Sequence, residues 1–361
     1  MKKTIIFSPG PANISERVRK ALTLPDICHR DEEFTELLHE VRNLIAKALK
    51  IDSSYNIVLF SGSGTLAIES LLTCLTGWEK TLLVISNGVY GERAVDIAKT
   101  YGIKIKELEL EWGTLPELTE VEEEIKMPEI GGVYLVHHET TTGLLNPLRE
   151  ISILAKKYDK LVLADTISSA AGEHIDFGWG LDAALGTANK CFRGVPGVSF
   201  AILSKKFVTI AKKRDRRTYY SDLITHLERE RKGETPFTPP VHSLFAFREA
   251  LRETLEEGVE NRIAHYKNIS KLLRAGLKDM GLKLYLPEEH HYSNTMTSVY
   301  LPSGFSYEEL HDLLKERGFV IYNSQGSLRG KVFMLGVVGL INEQDIVNFL
   351  EALNEVIEVK R

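Results

Sequence analysis

Cysteine is scarce: the 361 residues contain three, Cys28, Cys74 and Cys191. The count is odd and no two sit at the spacing of a zinc or redox pair, which excludes a disulfide scaffold and points to a reducing, cytoplasmic setting. Long apolar runs are also missing, since no stretch reaches the ~20 residues that cross a bilayer. The run Thr4 to Phe7 behind Lys2 and Lys3 stops at Pro9, Gly10 and Pro11, too short for an export signal. Internal repeats and low-complexity segments are absent. Nor is there a surplus of positive charge: 45 Lys and Arg against 50 Asp and Glu leave a net −5. No basic field exists to hold nucleic acid or an acidic membrane. What remains, 43% hydrophobic and 26% charged residues, is the composition of a folded globular chain. Its length corresponds to roughly two domains at about 150 residues each.

Apolar residues between Glu33 and Lys50 recur at Phe34, Leu37, Leu38, Val41, Leu44, Ile45 and Ala48, the spacing of a helix with one buried stripe. Short apolar runs follow at 57–60, 82–85, 133–136 and 161–164, each trailed by a turn and a helical pattern. Alternating strands and helices make a parallel sheet covered on both faces, with ligands collecting beyond the carboxyl ends of its strands. The charge-crowded segment 214–232 and the prolines at 236, 239 and 240 mark a boundary. The expected organisation is a large α/β domain over 15–240 and a small one from 1–14 with 241–361. The small one holds a largely helical 241–280, strands at 297–301 and 332–335, and helices at 307–317 and 342–359.

The residues just past the strand ends carry the chemistry. Ser61, Gly62, Ser63, Gly64 and Thr65 lead into a helix, where hydroxyls and free amides suit a phosphate, although a plain helix cap has the same composition. Tyr90, after the run 82–85, can stack on a flat ring or simply pack on the sheet edge. His137 and His138 are adjacent on a strand and point to opposite faces, so they do not share a metal, and no metal is expected. Thr140 is a hydroxyl donor beside them. Asp165 ends a very apolar strand, where a buried charge needs a partner: a cationic ring nitrogen, or the amides of a following helix. Lys190, in the run from Ala188 to Gly197, has few acids around it, and a desolvated lysine loses its proton to become the amine that attacks an aldehyde, although a lone lysine is more often a solvated surface cation. A phosphate cradle, a stacking ring, a hydroxyl, a carboxylate for a ring nitrogen and an uncharged lysine together match the needs of pyridoxal 5'-phosphate.

In motif order and over nearly its whole length the chain resembles the class V aminotransferases of the fold type I pyridoxal phosphate enzymes. Ser8 to Ala12 (SPGPA), Cys28 to Phe34 (CHRDEEF), Ser61 to Thr65 (SGSGT), Asn87 to Arg93 (NGVYGER), His138 to Gly143 (HETTTG) and Ala188 to Gly197 (ANKCFRGVPG) carry the resemblance. It implies a large domain with a mostly parallel seven-stranded sheet and a smaller C-terminal α/β domain. It further implies that Lys190 bonds the cofactor aldehyde and moves the substrate proton, and that Asp165 contacts the ring nitrogen. Tyr90 stacks, Ser63, Gly64 and Thr65 hold the phosphate, and Thr140 and Asn189 complete the cofactor site. A homodimer is implied, with Thr238 reaching the partner's cofactor phosphate. The reaction implied is amino transfer from 2-aminoethylphosphonate to pyruvate, with an alanine or serine donor and glyoxylate acceptor as the alternative.

One position departs from the family. Where its members carry a carboxylate-clamping arginine on a C-terminal strand, this chain has Met334, and a thioether cannot hold an anion. Gly10, Arg30 and Arg329 are the substrate-side candidates left. Other classes fit less well. A cysteine desulfurase needs a cysteine after Cys191, and none occurs. A nicotinamide-dependent oxidoreductase could use Gly62, Gly64 and Ala67 as its glycine-rich turn, yet leaves Asp165 and Lys190 without a role. A catalytically silent cofactor-binding protein would draw support only from Met334.

Overall fold

Odd and even residues of the central strands part company. Leu82, Val84, Tyr134, Val136, Leu161 and Leu163 fall in one apolar cluster, while Leu83, Ile85, Val133, Leu135, Val162 and Ala164 fall in another. That is the two-residue period of a strand buried on both faces, which is why the runs read as continuously apolar. The computed structural model describes residues 4–358 and residue 360. Residues 1–3 and 361 of the expected small domain, and position 359 at the end of its last helix, lie outside the described residues.

Seven strands form the central sheet: β1 (Tyr55–Ser61), β2 (Thr81–Ser86), β3 (Ile105–Glu109), β4 (Ile130–Val136), β5 (Leu161–Asp165), β6 (Ala183–Thr187) and β7 (Val198–Ser204). Their order is β1-β7-β6-β5-β4-β2-β3, and only β7 runs antiparallel to its neighbours. The register pairs Val136 with Asp165 and Asp165 with Leu185, so the carboxyl ends of β4 and β5 finish level and β6 runs two residues further to Thr187. Helix α1 (Glu32–Ala48), close to the expected 33–50, precedes β1, while α2 (Gly64–Leu72) and α3 (Val89–Thr100) start from loops at that end.

The expected helical stretch 241–280 is two helices, α4 (Val241–Glu257) and α5 (Val259–Asp279). Gly258 separates them at φ +83°, a left-handed conformation that glycine adopts without steric cost. Beyond them β8 (Met296–Tyr300), β9 (Tyr322–Asn323) and β10 (Val332–Gly336) make an antiparallel sheet of order β8-β10-β9. Helices α6 (Tyr307–Glu316) and α7 (Glu343–Glu358) pack against each other beside it. Ile5 and Ile6 pair in parallel with Phe319 and Val320, which ties the N-terminal segment to this C-terminal layer. On that pairing we propose the division 15–240 against 1–14 with 241–361. No helix among the described residues is long and apolar enough to cross a membrane.

Candidate active site

The loops that follow β1, β2, β4, β5 and β6 line one cavity of ≈ 450 Å³. Ser63, Gly64, Thr65, Tyr90, Thr140, Asp165, Asn189 and Lys190 all border it. Residues spread over more than a hundred positions thus meet because parallel strands deliver their carboxyl ends to one edge.

Its anion-binding wall is the start of α2. Ser63 is the cap residue, extended at φ −79° and ψ 171°, and its hydroxyl makes no bond to the helix's own amides. The first-turn N–H groups of a helix have no partners within it, so amides and hydroxyl are left for a ligand. A Cβ on Gly64 would stand 2.7 Å from Ile167 Cδ1 and 3.2 Å from Thr187 Cγ2, so the start of α2 lies directly against the residues that follow β5 and end β6. Thr187 Oγ1, at the end of β6 and on the same cavity, is buried and makes no hydrogen bond among the described residues. A buried hydroxyl without a partner beside free helix amides is the donor set of a phosphate, so the cradle fits the phosphate end of pyridoxal phosphate.

Asp165 is 2% exposed, and its Oδ1 accepts from Ile167 N at 2.9 Å. Burial raises its pKa to about 6, against the pull of Arg93 and Lys190. No helix follows, because the chain turns through 167–169, and the helix-cap alternative for Asp165 therefore falls away. A carboxylate placed this way gains from a cation opposite it. Lys190 lies on the same cavity, and its Nζ donates to the Pro9 carbonyl at 2.8 Å. Burial holds the amine below the usual lysine range, opposed by Asp165. Gly10 closes this side at φ +138°, and a Cβ there would lie 2.8 Å from Lys190 Cδ.

Tyr90 sits in the first turn of α3. Its backbone N–H donates to Glu139 Oε2 at 3.0 Å, as does that of Gly91 at 3.3 Å. Glu139 Oε1 accepts from Thr141 N at 3.2 Å and Thr141 Oγ1 at 2.7 Å. One fully buried carboxylate thus joins the turn that carries Tyr90 to the loop that carries Thr140, and burial raises its pKa to about 7. The two histidines part as a strand requires. His137 Nδ1 meets Ser169 Oγ at 3.0 Å, while His138 spans the Ser168 carbonyl at 3.3 Å and Ser293 Oγ at 2.7 Å. With Nδ1 donating to that carbonyl, Nε2 accepts from Ser293. Burial pushes both imidazoles down to about 3, so His138 is a neutral wall with both ring nitrogens occupied.

Three expected residues stand elsewhere. Arg30 is exposed, and its Nη1 donates to the Thr235 carbonyl at 3.2 Å. Arg329 and Thr238 are exposed and border the cavity of this chain no more than Arg30 does. Met334 is 1% exposed on β10, opposite Ser298 and Tyr322. It shares a strand face with Gly336, which lies against Ser8 and Pro9. Sequence reasoning had assigned no role to Arg93, Glu139, His138 or Thr187. Arg93 and Glu139 lay inside quoted motifs, which is the signal that could have drawn attention to them.

The family model for Aminotransferase class-V matches residues 14–335. A 2-aminoethylphosphonate–pyruvate transaminase of Bacillus cytotoxicus is 34% identical over 357 residues, 97% of each chain. An uncharacterized aminotransferase of Methanocaldococcus jannaschii is 32% identical over 96% of this chain and 90% of its own. Among solved structures, an aspartate aminotransferase of subgroup IV from Thermus thermophilus superimposes with a TM-score of 0.89 at 29% identity, over 98% of this chain and 99% of that one. With such matches running nearly end to end, the chain belongs to the class V aminotransferases and is a pyridoxal phosphate-dependent transaminase of fold type I.

Proposed function

We propose that the protein moves the amino group of 2-aminoethylphosphonate to pyruvate, forming phosphonoacetaldehyde and alanine. The observation that carries the chemistry is the shared cavity of Lys190 and Asp165, with an amine whose pKa burial lowers and a carboxylate with no ion-pair partner among the described residues. The choice of donor draws on the full-length similarity to transaminases named for it.

Bound pyridoxal 5'-phosphate supplies an aldehyde that condenses with amines and a ring that accepts the electron pair left by deprotonation. The chain's own residues do the rest. Lys190 would be the amine that anchors the aldehyde, and once free it would serve as the base and acid that moves the substrate proton. Asp165 would pair with the ring nitrogen and favour its protonated form. Tyr90 would stack on the ring, Thr140 would donate to its hydroxyl, and Asn189 would border it beside Lys190. Ser63, Gly64, Thr65 and Thr187 hold the phosphate. Gly10 leaves room for the lysine to swing.

A homodimer belongs to this reading, with Thr238 serving the partner's cofactor. Thr238 is exposed and away from its own cavity, and Tyr219 beside it in space, in contact with Phe237, is 74% exposed. A cytoplasmic setting is supported by three unpaired cysteines. The test is a half-reaction: cofactor-loaded protein mixed with 2-aminoethylphosphonate and no acceptor should lose the absorbance of lysine-bound cofactor and release about one equivalent of phosphonoacetaldehyde. If alanine or serine bleaches it and 2-aminoethylphosphonate does not, the donor assignment is wrong.

A further inference from the structure

We propose that Arg93 is the cation with which this chain holds the cofactor's phosphate, acting together with Thr65 at the start of α2. The inference rests on the pyridoxal phosphate reading above and names a residue to which that reading gave no role.

The demand for charge comes first. A phosphate monoester brings nearly two negative charges into a partly enclosed cavity. The N-terminus of α2 offers the equivalent of about half a positive charge, and hydroxyls offer none. Among the described residues bordering the cavity, the side chains of the lysine and arginine type are Lys190 and Arg93. Lys190 is engaged with the Pro9 carbonyl and is needed as a free amine. Arg93 remains as the fixed charge, since a guanidinium does not lose its proton in proteins.

Placement then decides which anion it serves. Arg93 follows Tyr90 by three positions on α3, so both project from one helix face. Its guanidinium carbon lies 4.5 Å from the centre of the Tyr90 ring. Its Nη1 donates to Thr65 Oγ1 at 3.3 Å, which aims the group at the loop whose amides are free. A bond of that length uses one of five N–H donors. No ion pair joins Arg93 to a carboxylate among the described residues, whereas Arg193, Arg214 and Arg262 are each paired. Its charge nonetheless reaches the site, for it draws down the pKa of Asp165 and of Lys190. A surface arginine resting on a tyrosine would account for the ring contact, but not for the bond to Thr65 or the place on the cavity wall. A clamp on the substrate's acid group would face the lysine end of the cavity and not the start of α2.

The test compares two aldehydes that differ only in the phosphate. Wild type, Arg93→Met and Arg93→Lys are stripped of cofactor and titrated with pyridoxal 5'-phosphate and with pyridoxal, following absorbance. Arg93→Met should weaken pyridoxal 5'-phosphate binding by roughly 10- to 100-fold, the range of one or two charge-assisted hydrogen bonds, and pyridoxal binding by less than about 3-fold. Arg93→Lys should recover part of the loss. At saturating cofactor the KM for the amino donor should stay within about 3-fold of wild type. Equal weakening for both aldehydes would overturn the inference in favour of a packing role. Unchanged cofactor affinity with a raised donor KM would overturn it in favour of a substrate clamp. A wild-type protein that takes up neither aldehyde would sink the functional reading, and this inference with it.

Discussion

The amine of Lys190 donates to the carbonyl oxygen of Pro9 at 2.8 Å, so the side chain proposed to perform the chemistry is held by main chain 181 residues earlier. Gly10, the next residue, lies flat against the same lysine. At φ +138° an alanine is strained, and its Cβ would meet Lys190 Cδ at 2.8 Å and Nζ at 3.0 Å. Gly10→Ala should therefore fold with a stability loss of about 1–3 kcal/mol, yet lose roughly 100-fold in kcat because the amine is displaced. Steady-state kinetics beside a thermal melt checks both parts, and unchanged turnover would contradict the placement.

Asp165→Asn keeps the shape of the side chain and removes the charge proposed to pair with the ring nitrogen. The carboxylate lies at the end of β5, 2% exposed and with no lysine or arginine ion-paired to it among the described residues. Loss of one preorganised electrostatic contact costs about 100- to 1,000-fold in kcat. The variant should still form its adduct on Lys190 after borohydride treatment, which separates a turnover defect from a binding defect.

The same carboxyl sets a pH dependence in the cofactor-free protein. Burial raises Asp165 from 3.8 to about 6 and Glu139 from 4.5 to about 7. Between the ordinary and the raised value the folded state binds the proton more tightly than the unfolded state. Their stabilisation is thus full below about pH 4 and is lost as pH rises through 6 for Asp165 and through 7 for Glu139. Melting temperatures of cofactor-free protein should fall across that window from these two groups, and Asp165→Asn should flatten its lower part. Supplying the cofactor, whose ring nitrogen gives Asp165 a cation, should reduce the fall.

Glu139 accepts from four donors, two in the first turn of α3 and two at Thr141. Glu139→Gln turns one acceptor into an N–H that faces other N–H groups. A buried donor left without its acceptor costs about 1–3 kcal/mol, so the melt should drop by several degrees. Cofactor binding should also weaken, because Tyr90 and Thr140 are positioned through this carboxylate. A variant with wild-type melting and cofactor affinity would show that the four bonds carry little.

The sequence made some of this legible and hid the rest for identifiable reasons. Strands buried on both faces announce themselves as continuous apolar runs, so β2, β4 and β5 fall within a few residues of their expected places, and the polar residues that end such runs, Asp165 above all, were easy to single out. Lys190 was legible because few acids surround it in the chain. Glu139 was not, since it sits in a polar string from His137 to Thr142 and gains its importance from a helix that starts some 50 residues earlier. Arg93 lies between Glu92 and Asp96 on an amphipathic helix, and only the tertiary fold shows which face it takes. A lone glycine in a helical pattern costs about 1 kcal/mol, too little to betray the break at Gly258. Arg30 lies inside the quoted motif 28–34, but its guanidinium turns to the Thr235 carbonyl and does not border this chain's cavity.

Borohydride reduction of the protein with pyridoxal 5'-phosphate, followed by proteolysis and mass spectrometry, locates the lysine that bonds the cofactor. A pyridoxyl group is expected on Lys190, and none in Lys190→Arg although that variant remains folded by its melt and circular dichroism. A wild-type protein whose label falls on another lysine, or on none, would contradict the assignment to Lys190.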